Sequence, residues 1–199
     1  GMYAPNVNGA YAADKSGDVK ARYLPQETAE QFGNLFILYN NRICPMQTFA
    51  IDFTKKLYGA DSYKGLTAEQ VLTGWIFWGD DWMNEPMLKI KGGELKNTLQ
   101  LPDYVSANTF FNKEMGGYTI GPYVKEYYDG NHDKFNTQAI AIDDKIQLLV
   151  NLQRGVVLKI FPYTQQGKTT WLAPTDEQPQ TMSLQNKRFV RSVLALLYN

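Results

Sequence analysis

The chain predicts a mainly α domain with a few short β-strands, an α+β fold, and three observations carry that expectation. Apolar residues recur at helical spacing in three long segments, the β-like runs are short and scattered, and Gly, Pro and Asn punctuate the boundaries between them. The expected product is a helix-dominated single domain with a small antiparallel β element. At 199 residues it has the length of one domain, able to bury roughly 70% of its unfolded surface.

Residues 2–26 mix Asn, Gly, Ala, Asp, Lys and Pro without a period, which predicts an irregular leader with order beginning near Glu27. Gly1 ahead of Met2 has the form of a tag-cleavage scar. Glu27 to Gly33 suits a short helix closed by Gly33, and Leu35-Phe36-Ile37-Leu38-Tyr39 suits a buried strand that turns at Asn40-Asn41. Pro45 fits a first helical position, where its fixed φ is favourable and its missing N–H costs nothing. The helix expected from Pro45 to Tyr58 carries Met46, Phe49, Ala50, Phe53 and Leu57 on one stripe. Lys55 and Lys56 complement its C-terminal dipole, and Gly59 suits a left-handed cap.

Thr67-Ala68-Glu69-Gln70 has capping-box spacing, so a second helix is expected from Ala68, burying Val71, Leu72, Trp75 and Ile76 and ending before Gly79. Met87 to Lys91 alternates as a short strand, and Gly92-Gly93 separates it from a small helix over Glu94 to Gln100. Tyr104 to Asn112 fits either strand or extended loop. Pro122 to Tyr128 suits a short helix, and Asp133 to Arg154 a long one with Ile142, Ile146, Leu149 and Val150 inward. Val156 to Tyr163 is the strongest β segment, with Trp171 to Pro174 as a hairpin partner. Thr175 to Met182 is polar and contains Pro, suggesting a linker before a last amphipathic helix capped by Ser183 and carrying Phe189, Val193, Leu196 and Leu197. No repeat of solenoid period occurs.

Composition narrows function mainly by exclusion. Twenty Lys plus Arg balance twenty Asp plus Glu, so nothing in the overall charge asks for nucleic acid or an anionic surface. One cysteine excludes an internal disulfide and a Cys-rich zinc site. No apolar run reaches the about 18 residues of a membrane span and no signal-peptide pattern stands at the start, so a membrane parent would make this an excised piece. Aromatic residues form 14% of the chain, with thirteen Tyr and four Trp; most are expected to supply core area, the rest a recognition surface.

The reactive-looking residues are few. His132, the single histidine, lies in the hydrophilic Asp129-Gly130-Asn131-His132-Asp133 turn, which excludes a multi-histidine metal site and reads as a solvated capping region. Cys44, just before a helix start where thiol pKa values fall, is a weak thiol candidate whose plainer role is a small or inert half-buried residue. Trp78 and Trp82, four apart, are candidates for a surface groove. Asp80-Asp81 and Asp143-Asp144 are adjacent pairs that do not converge on one helix or strand face. No catalytic set, cofactor site or metal site is expected, and Cys-x-x-Cys-His is absent.

Arg42-Ile43-Cys44-Pro45-Met46-Gln47-Thr48, then Asp61-Ser62-Tyr63-Lys64-Gly65-Leu66, resembles a signature in the extracytoplasmic region of ResB/CcsA-type cytochrome c biogenesis proteins, the membrane haem lyases of system II. The likeness continues through Gln70-Val71 and Gly74, Met87-Leu88-Lys89-Ile90-Lys91, Glu94-Leu95-Lys96, the helix Ile142 to Leu152, Gly155 to Pro162, and Trp171 to Pro174. It covers about residues 31–175 and departs from the family pattern at Cys44, where Glu or Lys is common. Trp75 to Trp82 is not counted as the family's tryptophan-rich haem-handling motif, which lies between membrane helices flanked by histidines.

The resemblance implies a leader over 1–26, a periplasmic domain of a cytochrome c assembly protein over 27–175, and a linker with a C-terminal helix over 176–199. It implies a soluble domain on the periplasmic side of the inner membrane, with apocytochrome c and the parent's own membrane domains as partners. Haem would be handled by the parent, and this domain would scaffold or present apocytochrome without catalysing bond formation alone. Arg42 joins Trp78 and Trp82 as a possible recognition surface. The alternative is a periplasmic or surface module that binds peptide or glycan on Trp and Tyr platforms.

Overall fold

The chain enters its core before the first of the described helices. The computed structural model describes residues 19–112, 114 and 117–154, together with the backbone of two later strands, Phe161–Gln165 and Lys168–Leu172. Residues 19–25 form neither helix nor strand, yet Ala21, Tyr23 and Leu24 are buried. Their backbone is held by side chains distant in sequence. Glu85 accepts from the Lys20 and Ala21 backbone amides at 3.1 and 3.2 Å, the Trp82 indole donates to the Arg22 carbonyl at 2.8 Å, and Gln70 Nε2 donates to the Leu24 carbonyl at 3.0 Å. Order thus begins well before Glu27, because partners about sixty positions away supply what the local sequence lacks.

Helix α1 spans Gln26–Gly33. Gly33 stands in its last turn for packing, since a Cβ there would fall 2.8 Å from Glu69 Cγ. Strand β1 (Phe36–Tyr39) then pairs antiparallel with β2 (Arg42–Pro45), Ile37 opposite Cys44 and Leu38 opposite Ile43. Asn40 and Asn41 both take left-handed conformations, φ 52° and 60°, as a tight hairpin with the native strand twist requires. Two expectations change here. The run is not buried throughout, because Phe36 is 59% exposed on the outer face, and Arg42 to Pro45 is a second strand. Pro45 closes that strand at φ −61°, ψ 146° and stands at the N-cap position of the next helix, without a side-chain cap hydrogen bond; the first helical residue is Met46.

Helix α2 (Met46–Tyr58) buries Met46, Phe49, Ala50, Phe53 and Leu57, the predicted stripe, and ends at Gly59 with φ 86°. The two-residue strands β3 (Ser62–Tyr63) and β4 (Leu66–Thr67) turn the chain into α3 (Ala68–Phe77). The capping box is present in both directions: the Gln70 amide donates to Thr67 Oγ1 at 3.2 Å, and the Thr67 amide donates to Gln70 Oε1 at 2.9 Å. Nearly every residue of α3 is buried, which makes it the central helix.

The one-turn helix α4 (Gly79–Trp82) follows. Strand β5 (Leu88–Lys89) pairs with β6 (Tyr104–Val105) around helix α5 (Glu94–Thr98). The ambiguous stretch resolves into β6, a 3-10 turn over Ala107–Phe110 and β7 (Phe111–Asn112), which pairs with β8 (Gly117–Tyr118). Helix α6 (Gly121–Tyr128) packs on α7 (Lys134–Gln153), with Tyr123 and Phe135 edge to face at 4.7 Å. Asp133 caps α7 by accepting from the Asn136 amide at 2.7 Å, and Ile142, Ile146 and Leu149 point inward while Val150 is half-buried.

A late hairpin is present, strands β9 (Phe161–Gln165) and β10 (Lys168–Leu172) with Pro162 opposite Trp171, but its strands take in Thr164-Gln165 and Lys168 to Thr170, which the expected bounds left to the connection. The predicted strand start at Val156, the end of its partner at Ala173-Pro174, the linker and the last helix lie outside the described residues. Five antiparallel two-stranded sheets accompany the described helices, so the fold is α+β and helix-dominated. Among the described residues no helix is long and apolar enough to cross a membrane.

Candidate functional site

The residues expected to form a recognition surface are dispersed by the fold. Trp82 has no exposed surface; its ring lies 5.8 Å from Tyr63 and 6.0 Å from Trp75. Trp78 is half-buried against Phe77, with the Arg22 guanidinium 6.0 Å from its ring. The chain leaves helical geometry at Trp78, φ −134°, ψ 49°, so a spacing of four does not align these two tryptophans on one face. Arg42 is exposed at the hairpin opposite Tyr39 and makes no hydrogen bond or ion pair with either. Trp82 is therefore a core residue, and the three do not form one surface.

Cys44 lies inside β2 with its side chain half-buried against the core, opposite Ile37, as a free thiol. His132 is exposed and stacks on Tyr127 with ring centres 4.1 Å apart. Asp81 accepts from the Arg22 guanidinium at 2.7 Å while Asp80 faces solvent; Asp143 accepts from the Tyr118 hydroxyl at 2.6 Å while Asp144 faces solvent. Each adjacent carboxylate pair diverges, one member engaged and the other exposed, as the roughly 100° step between helical neighbours allows. No group of three His, Cys, Asp or Glu that could hold a metal ion occurs among the described residues.

What the fold does assemble is a cleft of about 650 Å³ between the end of α2, the β5–α5 segment and the middle of α7. That volume is within the range of small-molecule sites. Its apolar lining comes from Ile90, Leu95, Ala141, Ile142 and Leu148, and its cations from Lys56, Lys89, Lys91, Lys96 and Lys145. Local structure places each contribution. The residues Leu88 to Lys91 alternate, so Leu88 and Ile90 are buried while Lys89 and Lys91 stand out together. On α7, Gln138, Ile142 and Lys145 recur at i, i+4 and i+7 and share a face. Gln138 Oε1 accepts from the Leu95 amide at 2.9 Å, tying α5 to α7 across the cleft.

The electrostatics of this cleft are one-sided. Asp144 is the acidic residue among its lining groups. Lys56 is engaged from outside by Asp52 at 3.1 Å, which also accepts from the Tyr39 hydroxyl at 2.5 Å, and Lys96 is engaged by Asp103. Lys145 donates to the Lys56 carbonyl at 3.0 Å. Its burial, followed by the positive charges of Lys91 and Lys89, holds its ammonium below the ordinary lysine pKa. Attention to rare residue types misses this site, since lysines are ordinary surface residues. The legible signal was the Leu88-Lys89-Ile90-Lys91 alternation, which places two cations on one side before any partner is known.

Fold and cleft together define an α+β domain with a basic, apolar-lined cleft. No family model matches the chain. It is similar to protein NrfI from Wolinella succinogenes, at 23% identity over 153 residues that take in 74% of this chain and 17% of that protein. The chain thus spans about a sixth of the length of that relative.

Proposed function

We propose that this chain is a periplasmic part of a membrane cytochrome c synthetase of the system II type, where it scaffolds or presents apocytochrome c while the parent's membrane portions deliver and attach haem. The similarity to NrfI over 74% of the chain is the observation that carries a role in cytochrome c biogenesis. The ordered motif resemblance, from Arg42-Ile43 through Gln70-Val71 to Trp171, supports the finer assignment. The physical character of those motifs fits a scaffold. Arg42 to Thr48 is a hairpin strand feeding a capped helix, and Thr67 to Gln70 is a capping box. These features fix a frame and perform no bond chemistry.

The alternative, a peptide- or glycan-binding module built on Trp and Tyr platforms, would be favoured by Trp78, Trp82 and several Tyr around one open cleft. Trp82 is sealed in the core instead, so that reading has lost its main platform.

The test is in-frame excision of residues 19–154 from the full-length parent, in cells that depend on it for cytochrome c maturation. Holocytochrome c is read by haem staining and parent abundance by immunoblot. Loss of holocytochrome at unchanged parent level supports the proposal, and normal holocytochrome overturns it. The accompanying expectation, that this domain does not itself hold haem tightly, fails if a Soret shift titrates at low micromolar haem and disappears in Cys44→Ala or His132→Ala.

A further inference from the structure

We propose that the cleft between α2, the β5–α5 segment and α7 is a binding site for a small amphipathic organic anion, its apolar body lying on Ile90, Ile142 and Leu148 and its acidic group held by Lys89, Lys91 and Lys145. This site is independent of the cytochrome reading and stands on its own geometry.

The first argument is charge. The chain as a whole is neutral, with twenty basic and twenty acidic residues, yet among the described residues five lysines and one aspartate line this cleft. Two of those lysines already have carboxylate partners in Asp52 and Asp103. Among the described residues Lys89 and Lys91 form no ion pair, although Lys89 adds to the positive field that lowers the Asp103 carboxyl, and Lys145 donates to a backbone carbonyl. Asp144 is exposed beside Lys145 and, among the described residues, is the acidic group that raises its pKa, against the larger effects of burial and of Lys91 and Lys89. An uncompensated cluster of this kind is self-repelling when free, and a bound anion offsets that repulsion.

The second argument is shape and polarity. An apolar wall of aliphatic side chains lies beneath the cations, and the volume is that of a small-molecule site. A purely inorganic anion would leave the apolar wall unused, and a neutral apolar molecule would leave the lysines unpaired. Lysine ammoniums are point charges on flexible stems, so they suit a carboxylate, sulfonate or phosphate head without demanding bidentate geometry.

The test uses the 199-residue chain with two fluorescent probes of similar apolar body, the anionic 8-anilinonaphthalene-1-sulfonate and the uncharged N-phenyl-1-naphthylamine. Amide chemical-shift mapping locates the bound sulfonate. Expected is saturable binding of the sulfonate that weakens with salt, with shifts centred on residues 89–96 and 137–148. Lys89→Ala together with Lys91→Ala should weaken it about tenfold at unchanged circular dichroism, since two opposite charges near the head are lost. Both side chains are exposed, so their removal leaves the core intact. Equal binding by the double variant, equal affinity for the uncharged probe, or shifts centred on the exposed Phe36 and Ile43 of the hairpin would each overturn the proposal.

Discussion

The Tyr63 hydroxyl donates to Glu85 Oε1 at 2.8 Å, and the other oxygen of the same buried carboxylate accepts from the Lys20 and Ala21 amides. One side chain therefore pins the irregular entry of the chain to the turn before α3 and to the segment after α4. Removing the acceptor strands more groups than removing one donor. Glu85→Ala is expected to cost about 3 kcal/mol in urea unfolding, and Tyr63→Phe about 1 kcal/mol. If Tyr63→Phe proves the more damaging of the two, Glu85 is not the organising group.

Tyr63 and Tyr118 give the fold an alkaline limit. Burial, then the hydrogen bond to Glu85, pushes the Tyr63 phenol far up; burial, then the bond to Asp143, does the same for Tyr118. The unfolded phenols ionise near about pH 10. Above that pH the unfolded chain releases protons that the folded chain retains, so their stabilisation is fully present below about pH 10 and declines as pH rises beyond it. Unfolding midpoints measured between neutrality and strong alkali should fall in the wild type and fall less steeply in Tyr63→Phe/Tyr118→Phe. Parallel slopes would show that other groups set the limit.

Asp81 acts at the acid end. Its hydrogen bond from the Arg22 guanidinium outweighs burial and holds its carboxyl below the usual range. A depressed carboxyl contributes stability above its unfolded value near about pH 4, and that contribution is lost as pH falls through the folded value. The pair is partly solvent-screened, with side chains 46% and 28% exposed, so the effect stays below about 1 kcal/mol. Arg22→Ala should reduce stability at pH 7 and flatten its loss between neutrality and strong acid. A variant whose acid profile merely shifts down in parallel would assign Arg22 to packing alone.

Gly74 tests the central packing. A Cβ at this position would lie 2.4 Å from Trp82 Nε1 and 2.6 Å from Cε2, closer than atoms approach without displacement. Although alanine is the better helix former, Gly74→Ala is expected to destabilise by about 2 kcal/mol through overpacking. Displacement of Trp82 should also shift tryptophan emission to the red. An unchanged spectrum with raised stability would mean that Trp82 has room to move.

The α2 stripe, the Gly59 cap and the Thr67–Gln70 capping box were legible because each is a local device whose partners lie within a few residues. The same holds for the Asn40-Asn41 turn, although its second strand was hidden by Pro45, which both ends β2 and stands at the N-cap position of α2. The burial of Trp82 is not legible in the sequence, for the opposite reason. Its burial depends on a helix break at Trp78, an absent side chain at Gly74 and a carbonyl at Arg22, the last 60 positions away. Sequence spacing cannot show any of these as a contact.

For this protein the sequence by itself determined the helix-dominated α+β class, most helix positions and their caps, and the motif order that resembles cytochrome c biogenesis proteins. Those features rest on periodicity and short-range hydrogen bonds. Only the tertiary structure decided which aromatics are sealed in the core and which cations meet. Lys56 and Lys145 stand 89 positions apart, and they share a cleft because apolar burial draws α2, the β5–α5 segment and α7 together. Their charges are carried along by that packing.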